Sequence, residues 1–436
     1  MSRLALAALF AAFALPAPAA AQLSPAERTM IETVDAKQDE TVDLLARIVN
    51  INSGTMNHEG VRAVGRVMAK EFDALGFATE WVEAPGTDRA GHLIARHAGD
   101  GTGKRLLLIG HLDTVFEPDS PFQRWERDGN FGQGPGAGDD KGGIVTMLLA
   151  LQAMKAAGTL DGADIVVVLM GDEEDSGEPQ SVSRAALIAA AEASDIAIGY
   201  EGLIVDDGKD MGSVARRSAG SWTVTVTARS GHSSGIFSDY LGNGAVFEAA
   251  RIIDDFREKL RYGEDRLTYN VGLIVGGEEA EIDADKIRGT ARGKTNIIAP
   301  IAYVRGDMRA MTLDQIERTQ AAMRAIVAEN LPGTEAAIEF DEYYPPMPPT
   351  AGNRAILDAL NEVNADLGLP AMDALDPLRR GAADISFVAH LVDGLAGMGP
   401  ASRGDHTPEE AVDIASIWRQ AKRSAILLSR LADTPR

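Results

Sequence analysis

Two textures of hydrophobic and polar residues divide this chain. In the first, Leu106, Leu107, Leu108 and Ile109 follow one another without a polar break, as do Ile165, Val166, Val167 and Val168. Unbroken runs of this kind predict strands buried on both faces, the usual state of a parallel sheet covered by helices. The pattern predicts such strands over residues 105–109, 164–170 and 196–198, with shorter ones near 79–82 and 93–97. Helical periodicity fills the gaps. Ile144, Met147, Leu148, Leu151 and Met154 share one face of a helix that follows Gly143. Ser24-Pro25-Ala26-Glu27 is a helix start, and one amphipathic helix is expected from there past Val49. A second covers about 60–75.

The second texture begins after about Gly212. Residues 221–228 alternate polar and apolar strictly, so one sheet face is wet and antiparallel pairing is expected. A helix over 243–260, strands over 267–275 and 296–308, a helix capped by Thr312 and a strand over 336–343 complete this block. The prolines between Pro345 and Pro349 mark the return to the first texture. Helices are then expected over 353–367, 382–391 and 409–431, with a short strand near 395–398. Together these elements predict an α/β fold: a mostly parallel sheet flanked by helices, interrupted by an α+β insert. The domain reading is residues 22–214 and 344–436 for the first unit and 215–343 for the insert.

Composition narrows the chemistry. The 436 residues carry a formal net charge of −23 and no cysteine. Such acidity argues against nucleic acid or an anionic membrane as the main partner. Without thiolates, any metal must be held by His, Asp and Glu. Residues 1–21 read as a secretory signal peptide: Arg3, an apolar run from Leu4 to Leu15, and small residues at Ala19-Ala20-Ala21. That run is shorter than the about 20 residues a membrane span needs. A periplasmic or secreted protein, free of the membrane after cleavage, is the expectation.

The candidate chemistry sits where the buried strands end. The first runs into His111-Leu112-Asp113, and an aspartate two residues on can orient a metal-bound imidazole. A glycine loop, Gly134-Pro135-Gly136-Ala137-Gly138, then delivers Asp139 and Asp140. Two adjacent carboxylates would repel a phosphate, so a cation is the better guest. The second strand leads into Glu173 and Glu174, of which one carboxylate can bind metal while the other moves a proton. The third ends at Glu201. His406 follows Gly404-Asp405, and His232 lies in Ser230-Gly231-His232-Ser233-Ser234-Gly235 of the insert.

In this order, over nearly the whole chain, these segments resemble the glutamate carboxypeptidase/aminoacylase/desuccinylase family of co-catalytic zinc metallopeptidases. The resemblance implies a zinc-exopeptidase fold with a lid and dimerisation insert, and two Zn2+ per chain, with Co2+ or Mn2+ as substitutes. It implies His111 and Glu201 on one ion, with Asp113 behind His111. Glu174 and His406 hold the other, and Asp139, followed by a cis peptide, bridges the two. Glu173 matches the general base. His232 matches a histidine that enters a partner subunit's site and polarises the scissile carbonyl, which implies a homodimer built through the insert. Asn296 and Arg309 match substrate-contacting lid residues, and Gly381 a substrate-side glycine loop.

Two positions depart from the family pattern. Gly202 stands where proline is common, and the loop often written Gly-Gly-Gly-Thr-Asp reads Arg380-Gly381-Ala382-Ala383-Asp384. Arg379 and Arg380 either bind an anion or are solvated, and Asp140 keeps the reading of a turn residue. The expected activity is hydrolysis of an amide or peptide bond in a small peptide or N-acyl amino acid. Carboxypeptidase-like release of a C-terminal residue comes first, and N-acyl amino acid deacylation or dipeptidase action is the alternative. An exported substrate-binding protein is the rival without chemistry.

Overall fold

The computed structural model describes residues 23–260 and 265–436. The signal-peptide reading of residues 1–21 lies outside them. Six strands form the main sheet, in the order Ala78–Val82, His92–His97, Ile165–Met170, Leu106–His111, Ile196–Gly199, Asp393–Leu395. The last four run parallel, and His92–His97 lies antiparallel to its two neighbours. The mostly parallel sheet is therefore as expected.

The unbroken apolar runs are explained by two cores, one on each face. Leu106, Leu108, Ile165 and Val167 face a core built with the helices Pro25–Ala36, Gln38–Val49, His58–Leu75, Lys141–Ala157, Ala351–Asp366 and Ile414–Ala432. Leu107, Ile109, Val168 and Met170 face the other way, onto Leu187, Ala190, Ile385 and Phe387. Successive strand residues point to opposite faces, so a strand covered on both sides has no polar position to spare.

The second sheet is antiparallel, in the order Thr268–Gly277, Ile301–Arg309, Gly220–Ala228, Thr334–Phe340. Trp222, Val224 and Val226 fill its dry face against the helices Ala245–Lys259 and Leu313–Ala328. The intervening Thr223 and Thr225 stay partly exposed, as strict alternation requires. The chain crosses between the two sheets on paired segments, with bridges Arg216 to Met347 and Ala219 to Tyr344.

Four elements differ from the pattern reading. The first helix breaks at Lys37 into Pro25–Ala36 and Gln38–Val49, because Lys37 and Gln38 stand where the apolar stripe from Val34 would continue. The strand expected over 296–308 splits at Ala299-Pro300 into Ile297–Ile298 and Ile301–Arg309. No α-helix covers 382–391. A 3-10 turn, Asp384–Phe387, starts from an extended Ala383, and its side chains face the core directly. The C-terminal helix starts at Ile414, where Asp413 accepts the Ala415 N–H as its cap, and Ala411–Asp413 is a strand instead.

Membrane-spanning length and apolarity are absent from every helix of the described residues. Trp222 and Phe256 meet edge to face in the insert core, ring centroids 5.4 Å apart, and Phe256 is buried. Phe256→Ala should therefore destabilise the insert by about 3–5 kcal/mol, measured by denaturant unfolding. An unfolding midpoint unchanged from wild type would contradict this packing.

Candidate metal centre and active site

Parallel strands deliver their carboxyl ends to one edge, and the candidate residues leave the sheet there. His111 ends its own strand and is paired in register with Met170, the last residue before the Glu173 turn. Glu201 follows Ile196–Gly199 two residues on. A small antiparallel sheet supplies the rest. Ser402–Arg403 and Ala411–Asp413 form a hairpin with His406 in its loop, and Ala411–Asp413 also pairs with Phe131–Gln133. Phe131–Gln133 leads directly into the glycine loop that ends at Asp139. One small sheet thus carries His406 onto Asp139.

The group is compact. His111 Nε2 lies 3.0 Å from Asp139 Oδ1, and His406 Nε2 lies 3.3 Å from Asp139 Oδ2 and 3.1 Å from Glu174 Oε2. Ligand atoms of His111, Asp139 and Glu174 all fall within 4.8 Å of one another. Asp139 has one oxygen toward each histidine, the arrangement a bridging carboxylate needs. The Asp139–Asp140 peptide is cis, and His406 sits at φ 64°, a left-handed conformation uncommon outside glycine and asparagine.

Asp113 organises this edge. Its Oδ1 lies 3.4 Å from His111 Nδ1. The Glu173 N–H donates to Oδ1 at 3.1 Å, the Glu174 N–H to Oδ2 at 3.0 Å, and the Thr55 hydroxyl to Oδ2 at 2.7 Å. An aspartate behind a metal-ligating imidazole fixes the ring and its tautomer. Here the same carboxylate also fixes the turn bearing both glutamates.

Electrostatics point to a cation. Burial opposes charge on His111, yet hydrogen bonds to Asp113 and Asp139 outweigh it and hold the ring well above its ordinary range. Hydrogen bonds to Asp139 and Glu174 raise His406 to about 11. Burial lifts Glu174 to about 7 against its bond from His406. Burial, then the Glu201 charge, pushes Glu173 well above the carboxylate range. The cluster concentrates negative charge, which favours balancing protons on its histidines and on Glu173 and Glu174 alike. A divalent cation supplies the same balance and leaves both imidazoles neutral as ligands. The donor set, imidazole and carboxylate without sulfur, suits zinc, cobalt or manganese.

The remaining candidates divide. Glu201 lies beside His111 in a small cavity they share with Arg216 and Asp384, but its Oε2 accepts from Arg216 Nη1 at 2.7 Å. Arg309 comes close to Gly381, whose added Cβ would lie 3.7 Å from Arg309 Nη1. His232 is exposed on the insert, where its Nδ1 pairs with Ser234 Oγ at 2.8 Å. It stands outside the metal group. Asn296 is its neighbour: the Asn296 carbonyl accepts the Ser233 N–H at 2.9 Å. Asp140 is not a solvated turn residue. It is wholly buried at the start of Lys141–Ala157, and its Oδ2 accepts the His111 N–H at 3.3 Å. Arg379 is exposed and pairs with Asp206, whereas Arg380 is mostly buried and its Nη2 donates to the Gly202 carbonyl at 2.6 Å.

Pattern reading missed Glu410. Its buried Oε1 accepts the Gly138 N–H at 2.9 Å and the Asp139 N–H at 3.2 Å, so it holds Asp139 from the His406 side. Its place four residues after His406 was the available signal.

A buried glutamate next to a second glutamate that joins a histidine–aspartate group able to hold a metal is an arrangement suited to metal-assisted hydrolysis. The chain belongs to Peptidase family M20/M25/M40, whose family model matches residues 107–430. It is accordingly a hydrolase of carbon–nitrogen bonds, and the binding-protein rival falls away. It is 28% identical to carboxypeptidase G2 of Pseudomonas sp. (strain RS-16) over 270 residues, 60% of this chain and 62% of that protein. It is 25% identical to succinyl-diaminopimelate desuccinylase of Leptothrix cholodnii over 392 residues, 86% of this chain and 95% of that protein. Among solved structures, a tripeptidase of Staphylococcus aureus matches with a TM-score of 0.70 at 20% identity, covering 91% of this chain and 98% of that one. A Bacillus subtilis protein described as a dinuclear metal binding peptidase from the M20 family matches with a TM-score of 0.62 at 14% identity, covering 92% and 99%. Both share the fold.

Two measurements follow from this geometry. The acidic neighbours of His111 and His406 favour their protonated forms in the metal-free protein, and a bound metal would displace those protons. Zinc affinity should therefore rise with pH between about 6 and 8, by about tenfold per unit for each proton displaced. Calorimetry in buffers of different ionisation enthalpy reads that release, and a pH-independent affinity would contradict it. Glu410→Ala should weaken metal binding by about 10- to 100-fold, with unchanged affinity as the opposing result.

Proposed function

We propose that this chain is an exported dinuclear-zinc hydrolase that cleaves an amide or peptide bond of a small substrate, releasing a C-terminal amino acid. The observation that carries the reading is the Glu173-Glu174 turn. Both backbone N–H groups are pinned by Asp113, Glu174 faces His406, and Glu173 is left for proton transfer. In this reading His111 and Glu201 would hold one ion and Glu174 and His406 the other, with Asp139 shared between them. When bound, the ions supply Lewis-acid polarisation of the carbonyl and make water acidic enough to ionise near neutral pH.

The chain's own residues do the rest. Glu173 takes a proton from the attacking water as the new C–O bond forms. It returns that proton to the leaving nitrogen as the C–N bond breaks. In this reading Arg309, beside Gly381, would hold the substrate carboxylate, and Asn296, beside His232, would contact its carbonyl region. His232, too exposed to stabilise an oxyanion alone, serves a partner subunit. Support for a dimer comes from the apolar surface of the insert near it: Phe237, Tyr240 and Phe247 are all exposed, and the Phe237 and Phe247 rings lie 5.6 Å apart. Export rests on the leader at residues 1–21.

Deacylation of an N-acyl amino acid is the second reading, favoured by the near-full-length likeness to a desuccinylase. A panel of dipeptides and N-acyl amino acids, with released amine measured, separates the two.

Glu173→Gln should keep its metals and lose about 10²- to 10⁴-fold in kcat. Near-normal turnover in the metal-loaded variant would sink the base assignment. Protomers bearing His232→Ala and Glu173→Gln, each inactive alone, should regain activity when mixed. No recovery despite demonstrated subunit exchange would rule out the trans role of His232.

A further inference from the structure

Behind Glu173 lies a buried arginine with no part in the chemistry described so far. Arg184 is wholly buried. Its Nη1 donates to Asp172 Oδ1 at 2.6 Å and its Nη2 to the Asp172 carbonyl at 3.1 Å. Its Nε lies 3.0 Å from Asp384 Oδ1. Nη2 also donates to the Tyr344 hydroxyl at 2.7 Å, and that hydroxyl donates to the Glu173 carbonyl at 2.6 Å. The guanidinium lies over the rings of Tyr344 and Phe387, at 5.6 and 5.0 Å from their centroids.

Three segments distant in sequence therefore meet on one side chain. The first is the turn that carries the base. The second is the loop that contains Gly381 and ends at Asp384. The third is the crossing into the insert, where Tyr344 pairs with Ala219. An apolar side chain of similar volume would fill this space without the desolvation cost of a buried ion. A planar fork of donors adds direction instead: its hydrogen bonds orient Asp172 and Tyr344, while the Asp384 carboxylate is held as an ion pair.

We propose that Tyr344, held by Arg184, is a positioning residue for Glu173. Its hydroxyl sets the carbonyl side of the Glu173 residue, as Asp113 sets the amide side, and the same contact ties the base to the crossing that carries the insert. The inference rests on the reading of Glu173 as general base.

Tyr344→Phe is the direct test, because it keeps the ring packed against Arg184 and Phe387 and removes one hydroxyl. Its kcat should fall by about 10- to 100-fold, the cost of a base displaced by a fraction of an ångström. KM and zinc content should stay at wild-type values, with the melting temperature lowered by no more than a few degrees. A packing role alone would leave kcat within about twofold of wild type, and that result overturns the proposal, as does a loss confined to KM. Arg184→Lys keeps the charge without the fork, and should lose kcat to a similar extent. Because the two act as a unit, the double variant should be little worse than Arg184→Lys alone. Fully multiplicative losses would contradict the coupling, and Tyr344→Phe decides the matter if Arg184→Lys does not fold. Normal turnover in Glu173→Gln would remove the underlying reading. An inactive Glu173→Gln with a fully active Tyr344→Phe would remove only this inference.

Discussion

The carboxylate of Asp113 is the contact on which the site depends. It is fully buried, and burial alone would favour its neutral form. His111, Thr55 and the Glu174 N–H stabilise the charged form and hold its pKa low. With four donors around two oxygens, it can adopt one orientation only. That orientation sets the His111 ring on one side and the two glutamates on the other. A change at Asp113 would therefore disturb His111, Glu173 and Glu174 together.

The sheet explains why these groups can meet. Parallel pairing of Leu106–His111 with Ile165–Met170 places His111 beside the Glu173 turn, and pairing with Ile196–Gly199 places Glu201 near the same edge. The core strands are rigid because they are buried on both faces, so positions at their ends are well determined. His406 comes from outside this sheet. It is held by a hairpin paired to the strand that leads into Asp139, with Glu410 clasping the glycine loop. The two halves of the metal group thus rest on separate scaffolds joined at Asp139.

Much of this was legible in the residues. Unbroken apolar runs marked the central strands, and the acids and histidine that follow them marked the functional edge. What stayed hidden depends on contacts between distant segments. Nothing local to Arg184 says that Asp172, Tyr344 and Asp384 converge on it. Glu410 reads as the first turn of a helix until Asp413 is seen to cap that helix later. Asp140 reads as a solvated turn because its burial is created by the glycines around it: a Cβ at Gly143 would lie 2.0 Å from Asp140 Oδ1. Strand ends are local and leave a pattern, whereas buried polar networks are tertiary and do not.

The central claim is a dinuclear centre bridged by Asp139. The most direct measurement is anomalous diffraction at the zinc absorption edge from crystals of the zinc-loaded protein. The account predicts two peaks flanking the Asp139 carboxylate, one contacted by His111 and Glu201 and the other by Glu174 and His406. A single peak, or peaks that leave Asp139 outside the coordination of both ions, would contradict it.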